Sequence, residues 1–363
     1  MPTRSEALRL NLEYYRKQAK ALLKGARAGE SEAREFLSRH LPAWEPNQLA
    51  LHDAQLAVAR EQGFPSWPRF RAFLAESALD EPGLVAAFLK AAVSDLPRAE
   101  EILAAHPQVA KAGFYAALVL GDVPQVKAAL AASPDLAVRR GGPQNHEPLL
   151  YVCFSRFAHG LSSRARDLAG TARILLAHGA DPNTAFTPEH LPGNPLSCLY
   201  AATGLNNSPE MAAVLLEAGA NPNDSESLYH STEHSDLECM KLLLRHGADP
   251  AGTNALKHML DREDLEGLYL LLAAGADPNE VNDRGETALH WAVWRGRSAS
   301  AAAALAANGA DLDAKRKDGR TAYALAAQSG QADVAALLAA RGASRDLSAL
   351  DTFLAACAAA APG

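Results

Sequence analysis

Apolar residues recur along this chain at helical spacing, and glycine and proline interrupt that spacing at intervals. Over Ala7–Ala28, Leu8, Leu12, Tyr15, Ala19, Leu22 and Leu23 fall on one face of a 3.6-residue period. A shorter helix is predicted over Glu32–Arg39, before a break at Pro42–Pro46. In HDAQLAVAREQGFPSWPRFRAFLAE, Gly63 is placed as a C′ residue, Ser66 as an N-cap and Pro68 in a first turn. This predicts helix, tight turn, helix, with Phe64 and Trp67 wedged at the corner.

Farther on, one short phrase ends each apolar stripe. It reads LLAHGADPN (Leu175–Asn183), LLEAGANPN (Leu215–Asn223), LLRHGADPA (Leu243–Ala251), LLAAGADPN (Leu271–Asn279), LAANGADLD (Leu305–Asp313) and LAARGASRD (Leu338–Asp346). The leucines close a helix, the glycine suits a left-handed C′ position, and the proline cannot continue the helix. Self-similarity of this kind predicts a stacked solenoid. Two degenerate units precede it, Leu84–Ala110 and Phe114–Ala137, ending AHPQVA and ASPDLA. Spacings between the six glycines are 40, 28, 28, 34 and 33 residues. The 40-residue unit carries an insertion near Leu205–Ser208. Another insertion, Phe154–Gly170 with Arg156, His159, Arg164 and Arg166, is expected as a surface loop. The Ala-rich tail Ser348–Pro362 is expected as a capping helix, because a solenoid end otherwise exposes its core.

Composition supports helices. Hydrophobic residues make up 48% of the chain but aromatics only 6%, so the apolar mass is largely Ala and Leu. β-branched residues are scarce, which argues against a large sheet. The net charge of −7 disfavours non-specific nucleic-acid binding. Residues 1–78 carry 12 basic against 9 acidic side chains, which leaves the remainder at −10. Cys153, Cys198, Cys239 and Cys357 are far apart in sequence and form no CxxC pair; a reduced, cytoplasmic location follows. Arg4, Glu6, Arg9, Glu13, Arg16, Lys17 and Lys20 rule out a secretory core in the first twenty residues, and no apolar run reaches membrane-spanning length.

The sequences DRGETALHWA (Asp283–Ala292) and KDGRTAYALA (Lys317–Ala326), together with the GADPN phrase and the 33-residue period, resemble the ankyrin repeat. Weaker versions are EPLLYV (Glu147–Val152) and NPLSCL (Asn194–Leu199). The resemblance covers roughly residues 83–346, seven or eight repeats, and implies that Thr287 caps a helix, that His290 hydrogen-bonds near it and that Gly285 permits the finger turn. Residues 1–78, through GFPSWPRF, are similar to a head segment of bacterial ankyrin proteins. The expected architecture is therefore an all-α ankyrin-repeat solenoid. Its parts are a helical head (1–78), degenerate repeats (79–143), repeats (144–346) and a capping helix (347–363).

The resemblance implies a concave face lined by the first helix of each repeat. Counting back from each phrase glycine places Glu233/His234, Asp261/Arg262, Trp294/Arg295 and Gln328/Ser329 at contact positions, with His230, His258, Trp291 and Leu325 three residues earlier. Tyr229, His230, Glu233, His234, Lys257, His258, Asp261, Arg262, Trp291, Trp294 and Arg295 thus form the candidate binding groove for a protein or peptide. Polar and aromatic residues are what interface hot spots contain.

An enzyme or small-molecule binder built on the same groove is the alternative. His230-Ser-Thr-Glu233-His234 has the form H-x-x-E-H, and on a helix these three side chains share a face. The pattern resembles inverzincin peptidases, in which two histidines hold Zn²⁺ and Glu is the base. His258 or Asp261 would add a ligand. The match is short and the fold is not a peptidase fold, so a site without metal is preferred. Metal-free acid–base chemistry would rest on Glu233, Asp261 and His230, and it requires an enclosed pocket at Tyr229–His234 and Lys257–Arg262. The head has helix–turn–helix outlines with Arg60, Arg69 and Arg71, but Trp67, Phe70 and Phe73 are spent on packing, which favours a docking cap over DNA binding. Phosphate-binding glycine loops and a nucleophile elbow are absent from the sequence.

Overall fold

The computed structural model describes residues 10–41, 43–159 and 167–360. The chain divides at Phe88/Leu89 into two compact units, and the helix Glu81–Ala92 spans the division.

In the first unit the helices are Leu12–Ala28, Ser31–His40, Leu51–Glu61 and Trp67–Ser77. The first begins at Leu12 rather than Ala7, because the Asn11 side chain accepts from the Tyr14 N–H and so caps it there. The predicted residues Ala7–Arg9, and Pro42 in the break, lie outside the described residues. Gly63 has φ +85° and Ser66 caps the next helix through the Arg69 N–H, as expected. Phe64 and Trp67 pack on the buried Phe70 at 5.1 and 6.0 Å. Tyr15, Ala54, Val58 and Leu74 complete that core. Arg60 donates to the His40 carbonyl at 2.7 Å, so this arginine serves the fold of the head itself.

The second unit is a two-layer stack. First-layer helices are Phe114–Leu120, Pro148–Cys153, Cys198–Tyr200 with its continuation, Ser227–Ser231, Ala255–Arg262, Ala288–Trp294, Ala322–Gln328 and Ala349–Ala360. Each packs on the next. Second-layer helices run behind them: Val123–Ala132, Leu168–Ala177, Pro209–Glu217, Glu238–Arg245, Leu265–Ala273, Ala299–Ala307 and Ala332–Ala340. Leu175, Leu215, Leu243, Leu271, Leu305 and Leu338, the leucines of the phrase, are all buried between the layers. Gly179, Gly219, Gly247, Gly275, Gly309 and Gly342 all have φ between +87° and +98°, the left-handed C′ conformation.

The rest of the phrase is explained by hydrogen bonds. Asp181, Asn221, Asp249, Asp277 and Asp311 each accept, through Oδ1, the N–H two residues on. That turn aims the final asparagine at the following repeat. Nδ2 of Asn183, Asn223 and Asn279 donates to the carbonyl of Gly219, Gly247 and Gly309 at 3.2, 3.2 and 2.8 Å. Their Oδ1 atoms accept from the N–H of Asn221, Asp249 and Asp311, each at 2.7 Å. Asp313 makes the accepting half of the same rung to Ser344. Ala251 stands where the asparagine would be, so the rung to Gly275 is missing.

The insertions resolve differently from each other. Extra residues after Tyr200 are absorbed as a π-helical turn, Ala201–Leu205, in which the Asn206 N–H reaches the Ala201 carbonyl. Of the 154–170 insertion, Arg156–His159 forms a 3₁₀ turn, and Asp167 caps the helix starting at Leu168, so the predicted loop ends sooner than Gly170. Arg164 and Arg166 lie outside the described residues. A two-stranded hairpin, Ala185–Phe186 with Leu196–Ser197, forms one finger. Thr287 and His290 behave as the resemblance implies: Thr287 Oγ1 lies 2.8 Å from His290 Nδ1, and His290 Nε2 lies 3.2 Å from the Arg320 carbonyl.

The tail helix is tied down by charge. Asp351, only 5% exposed, accepts from Arg320 at 2.7 Å and from Ser348 at 2.6 Å. Arg320 also pairs with Asp318, which Arg316 holds as well; Arg316 in turn reaches the buried Glu286 at 3.2 Å. The Ser348 and Arg320 bonds lower the Asp351 pKa, and the Arg316 bond lowers that of Asp318 strongly.

Two outcomes follow. Ala251→Asn restores the missing rung and raises stability by about 1 kcal/mol, read as a higher urea midpoint at unchanged slope; no change would show that this finger cannot seat the side chain. The depressed carboxylates contribute stability that is complete above their unfolded value, about 3.9, and is lost as pH falls through the folded value. Acidification therefore releases Ala349–Ala360 before the rest of the stack. Hydrogen exchange of that helix as a function of pH tests this, with Asp351→Asn abolishing most of the pH dependence.

Candidate functional site

Three successive first-layer helices carry the sequence-predicted residues, and each is set locally. Asp224 starts Ser227–Ser231: its carboxylate accepts from the Ser227 N–H at 2.8 Å and the Ser227 hydroxyl at 2.7 Å, and from Ser197 of the preceding repeat. Ala255–Arg262 lies between two left-handed residues, Asn254 (φ +60°) and Glu263 (φ +55°). Glu263 is strained there, and its carboxylate is held by the Ser298 N–H at 2.8 Å and by Arg297 at 3.6 Å. Ala288–Trp294 begins at the Thr287–His290 box.

The predicted residues separate into two groups. In the first, His230 Nε2 lies 3.1 Å from Glu226 and Nδ1 lies 3.1 Å from Glu233. Both ring nitrogens donate only in the imidazolium form. Tyr200 and Tyr229 pack edge-on against this ring, each with centroids 5.0 Å away. Tyr229 also meets His258 at 5.3 Å. His258 Nδ1 lies 2.7 Å from the Thr232 hydroxyl, and Arg262 donates to the carbonyls of Thr232 and Glu233. Burial first, then the charges of Glu233, Asp261 and Glu226, raise the Tyr229 pKa; burial, Glu233 and Glu226 do the same for Tyr200. Both phenols stay protonated at neutral pH.

The second group surrounds Asp261. Its Oδ1 accepts from Trp291 Nε1 and from Arg295 Nε, each at 2.7 Å. The Arg295 guanidinium lies over both indoles, 5.1 Å from Trp291 and 4.7 Å from Trp294, whose rings are 4.9 Å apart. Trp294 nevertheless remains 56% exposed. This junction also keeps its asparagine rung, Asn279 to Gly309; the junction that lacks one, a repeat earlier, is crossed instead by His258 and Arg262.

Two predicted residues lie apart from both groups. His234 Nε2 donates to the Gly204 carbonyl of the π turn at 2.6 Å. Lys257 lines a cavity of about 10 Å³ with Pro250, Asp277 and Glu280, room for one water. Neither this cavity nor the depression at Pro222–Thr253 is lined by Glu233 or Asp261, so the enclosed pocket expected for acid–base chemistry is not found at either. The H-x-x-E-H nitrogens also diverge: those of His230 face carboxylates, that of His234 faces a carbonyl and that of His258 faces a hydroxyl. Among the described residues no group of three or more His, Cys, Asp or Glu side chains is placed to hold a metal ion.

Tyr200 and Glu226 were missed. Tyr200 is the third residue of its first-layer helix, as Tyr229 is of the next. Counting back from Gly219 fails to find it, because the π turn lengthens the path between them. Tyr200 also extends a row of rings into earlier repeats, through Phe154 at 6.4 Å, Phe186 at 5.1 Å and His146 at 4.6 Å.

Asp261→Ala leaves the Trp291 N–H and Arg295 without their acceptor and lowers stability by about 1 kcal/mol, while Asp261→Asn retains the indole bond and loses less. Thermal melts followed by tryptophan fluorescence order the two variants; equal losses would assign the whole effect to the ion pair.

Residues 255–349 match the family of ankyrin repeats, in three copies. Among solved structures the chain is similar to the human ASB11 ankyrin repeat domain, at 20% identity and a TM-score of 0.46, over 64% of this chain and 99% of that one. It is also similar to EF0377, an ankyrin repeat protein, at 28% identity and a TM-score of 0.39, over 47% of this chain and 91% of that one. No curated protein matches. Among the described residues no helix is long and apolar enough to cross a membrane. With the family match over its C-terminal repeats and the phrase geometry from Leu175 to Asp346, the fold of the second unit is an all-α ankyrin-repeat solenoid.

Proposed function

We propose that this chain is a cytoplasmic binding scaffold that captures a protein or peptide partner on its first-layer face, between Tyr229 and Arg295. Trp294 carries the reading. A large indole, more than half exposed, is held in one orientation by Trp291 and by Arg295, which Asp261 fixes in turn. Pre-ordered tryptophan and arginine side chains are what dominate interface energies, because little entropy is lost when a partner covers them. Repeat solenoids generally serve as recognition surfaces, which agrees. Glu233 and Asp261, the carboxylates considered for acid–base work, are both engaged with basic side chains, an arrangement suited to gripping a partner. Cys153, Cys198 and Cys239 are buried free thiols, in keeping with a reducing compartment.

Selection of twelve-residue peptides from a random display library against the full chain tests this. Trp294→Ala is expected to weaken the selected peptides at least tenfold while leaving the melting temperature within a degree or two, since so much of the indole faces solvent. Peptides indifferent to Trp294→Ala would move the binding surface elsewhere, and a library that yields no binder would remove the reading.

A further inference from the structure

The face described above has two aromatic sites, and the chain fills one of them with its own cation. At Trp291 and Trp294 a guanidinium lies over two rings, with its Nε 2.7 Å from a carboxylate. At Tyr200 and Tyr229 the same ingredients occur in different proportion. Two aromatic rings flank two carboxylates, Glu226 and Glu233, and the side chain seen against both is the imidazole of His230. The imidazole meets one oxygen of each carboxylate; among the described residues the other oxygens, Glu226 Oε1 and Glu233 Oε2, have no hydrogen-bond partner. The nearby arginines are committed to the main chain: Arg156 donates to the Leu205 carbonyl, and Arg262 to those of Thr232 and Glu233. Among the described residues neither the Tyr200 nor the Tyr229 hydroxyl has a hydrogen-bond partner. Both rings are half-buried and Glu233 is 44% exposed, so the site is open to a ligand from outside.

We propose that the Tyr200–Tyr229 site takes the guanidinium of an arginine from an extended partner peptide, with Glu226 and Glu233 as acceptors and the two phenol rings as walls. This rests on the groove reading and names the chemistry of its partner. A guanidinium is favoured over an ammonium because it is planar, stacks on rings and offers several donors in a fixed fork. The adjacent Arg295 site shows that this surface accommodates that geometry.

The test uses the full chain and fluorescein-labelled nonapeptides in a glycine–serine background, carrying two arginines, two glutamines or two glutamates. Anisotropy is expected to show binding of the arginine peptide at least tenfold tighter than of the glutamine peptide, and none of the glutamate peptide. Glu226→Gln with Glu233→Gln keeps shape and hydrogen-bonding capacity, and is expected to abolish that preference. Glu217→Gln with Asp333→Asn, two exposed acids on second-layer helices, makes the same change in net charge and is expected to preserve it. Tyr229→Leu is expected to weaken the arginine peptide about tenfold. Equal binding of the arginine and glutamine peptides overturns the assignment, as does equal loss in the control pair, which would reduce the effect to net charge. The display selection separates the two proposals: binders that depend on Trp294 yet show no enrichment of arginine leave the groove reading standing and end this one.

Discussion

Stacking of the repeats depends on one small side chain acting in two directions. The asparagine that ends the phrase donates to a glycine carbonyl of the next repeat and accepts an N–H two residues beyond it. Both groups belong to a helix end or a turn, where main-chain donors and acceptors have no partner of their own. Each rung therefore satisfies polar groups that the helix leaves over, and it fixes the offset of one repeat on the next. The aspartate two residues earlier shapes the turn that makes this reach possible. Burial of the phrase leucines supplies the non-directional attraction between layers, and the rung supplies register.

Where the rung is absent, other chemistry takes its place. At the Ala251 junction, His258 meets the Thr232 hydroxyl and Arg262 donates to the Thr232 and Glu233 carbonyls. These contacts hold His258 and Arg262 beside Tyr229 on the face of the stack. Under the proposed function, fold and recognition are coupled at this junction: the contacts that join two repeats also order the surface that would meet a partner. The same holds one repeat later, beside an intact rung, where Asp261 gathers Trp291 and Arg295, and Glu263, in a conformation that usually belongs to glycine, holds Arg297 and the Ser298 N–H.

The site itself is electrostatically frugal. Its carboxylates are met by basic side chains from within the chain, and its phenols are kept protonated by burial and by those same carboxylates. Rigid rings beside satisfied or half-satisfied charges suit the proposed capture of a complementary side chain, whereas proton transfer needs a group poised near neutrality and shielded from water.

Local rules were legible in the sequence: the helix ends at Gly179 through Gly342, the caps at Ser66 and Thr287, the buried leucines and the solenoid they imply. Each depends on residues within one turn of each other, and the repeat multiplies the signal. Much of the candidate face was legible as well, because fixed counting from a glycine works wherever repeats keep their length. Counting failed at Tyr200, where a π turn changes the path length, and it could not know that His234 would be spent on the Gly204 carbonyl. Nor could it show that Cys153 and Cys198, 45 residues apart in sequence, come together as buried thiols, where burial first and then Cys153 push the Cys198 thiol up. The sequence by itself determined which segments are helical, where they end and which faces they bury, because those are short-range consequences of period, capping and glycine. Tertiary structure alone decided which polar side chains remain available to a partner, because each is claimed or spared by a group on another repeat, tens of residues away.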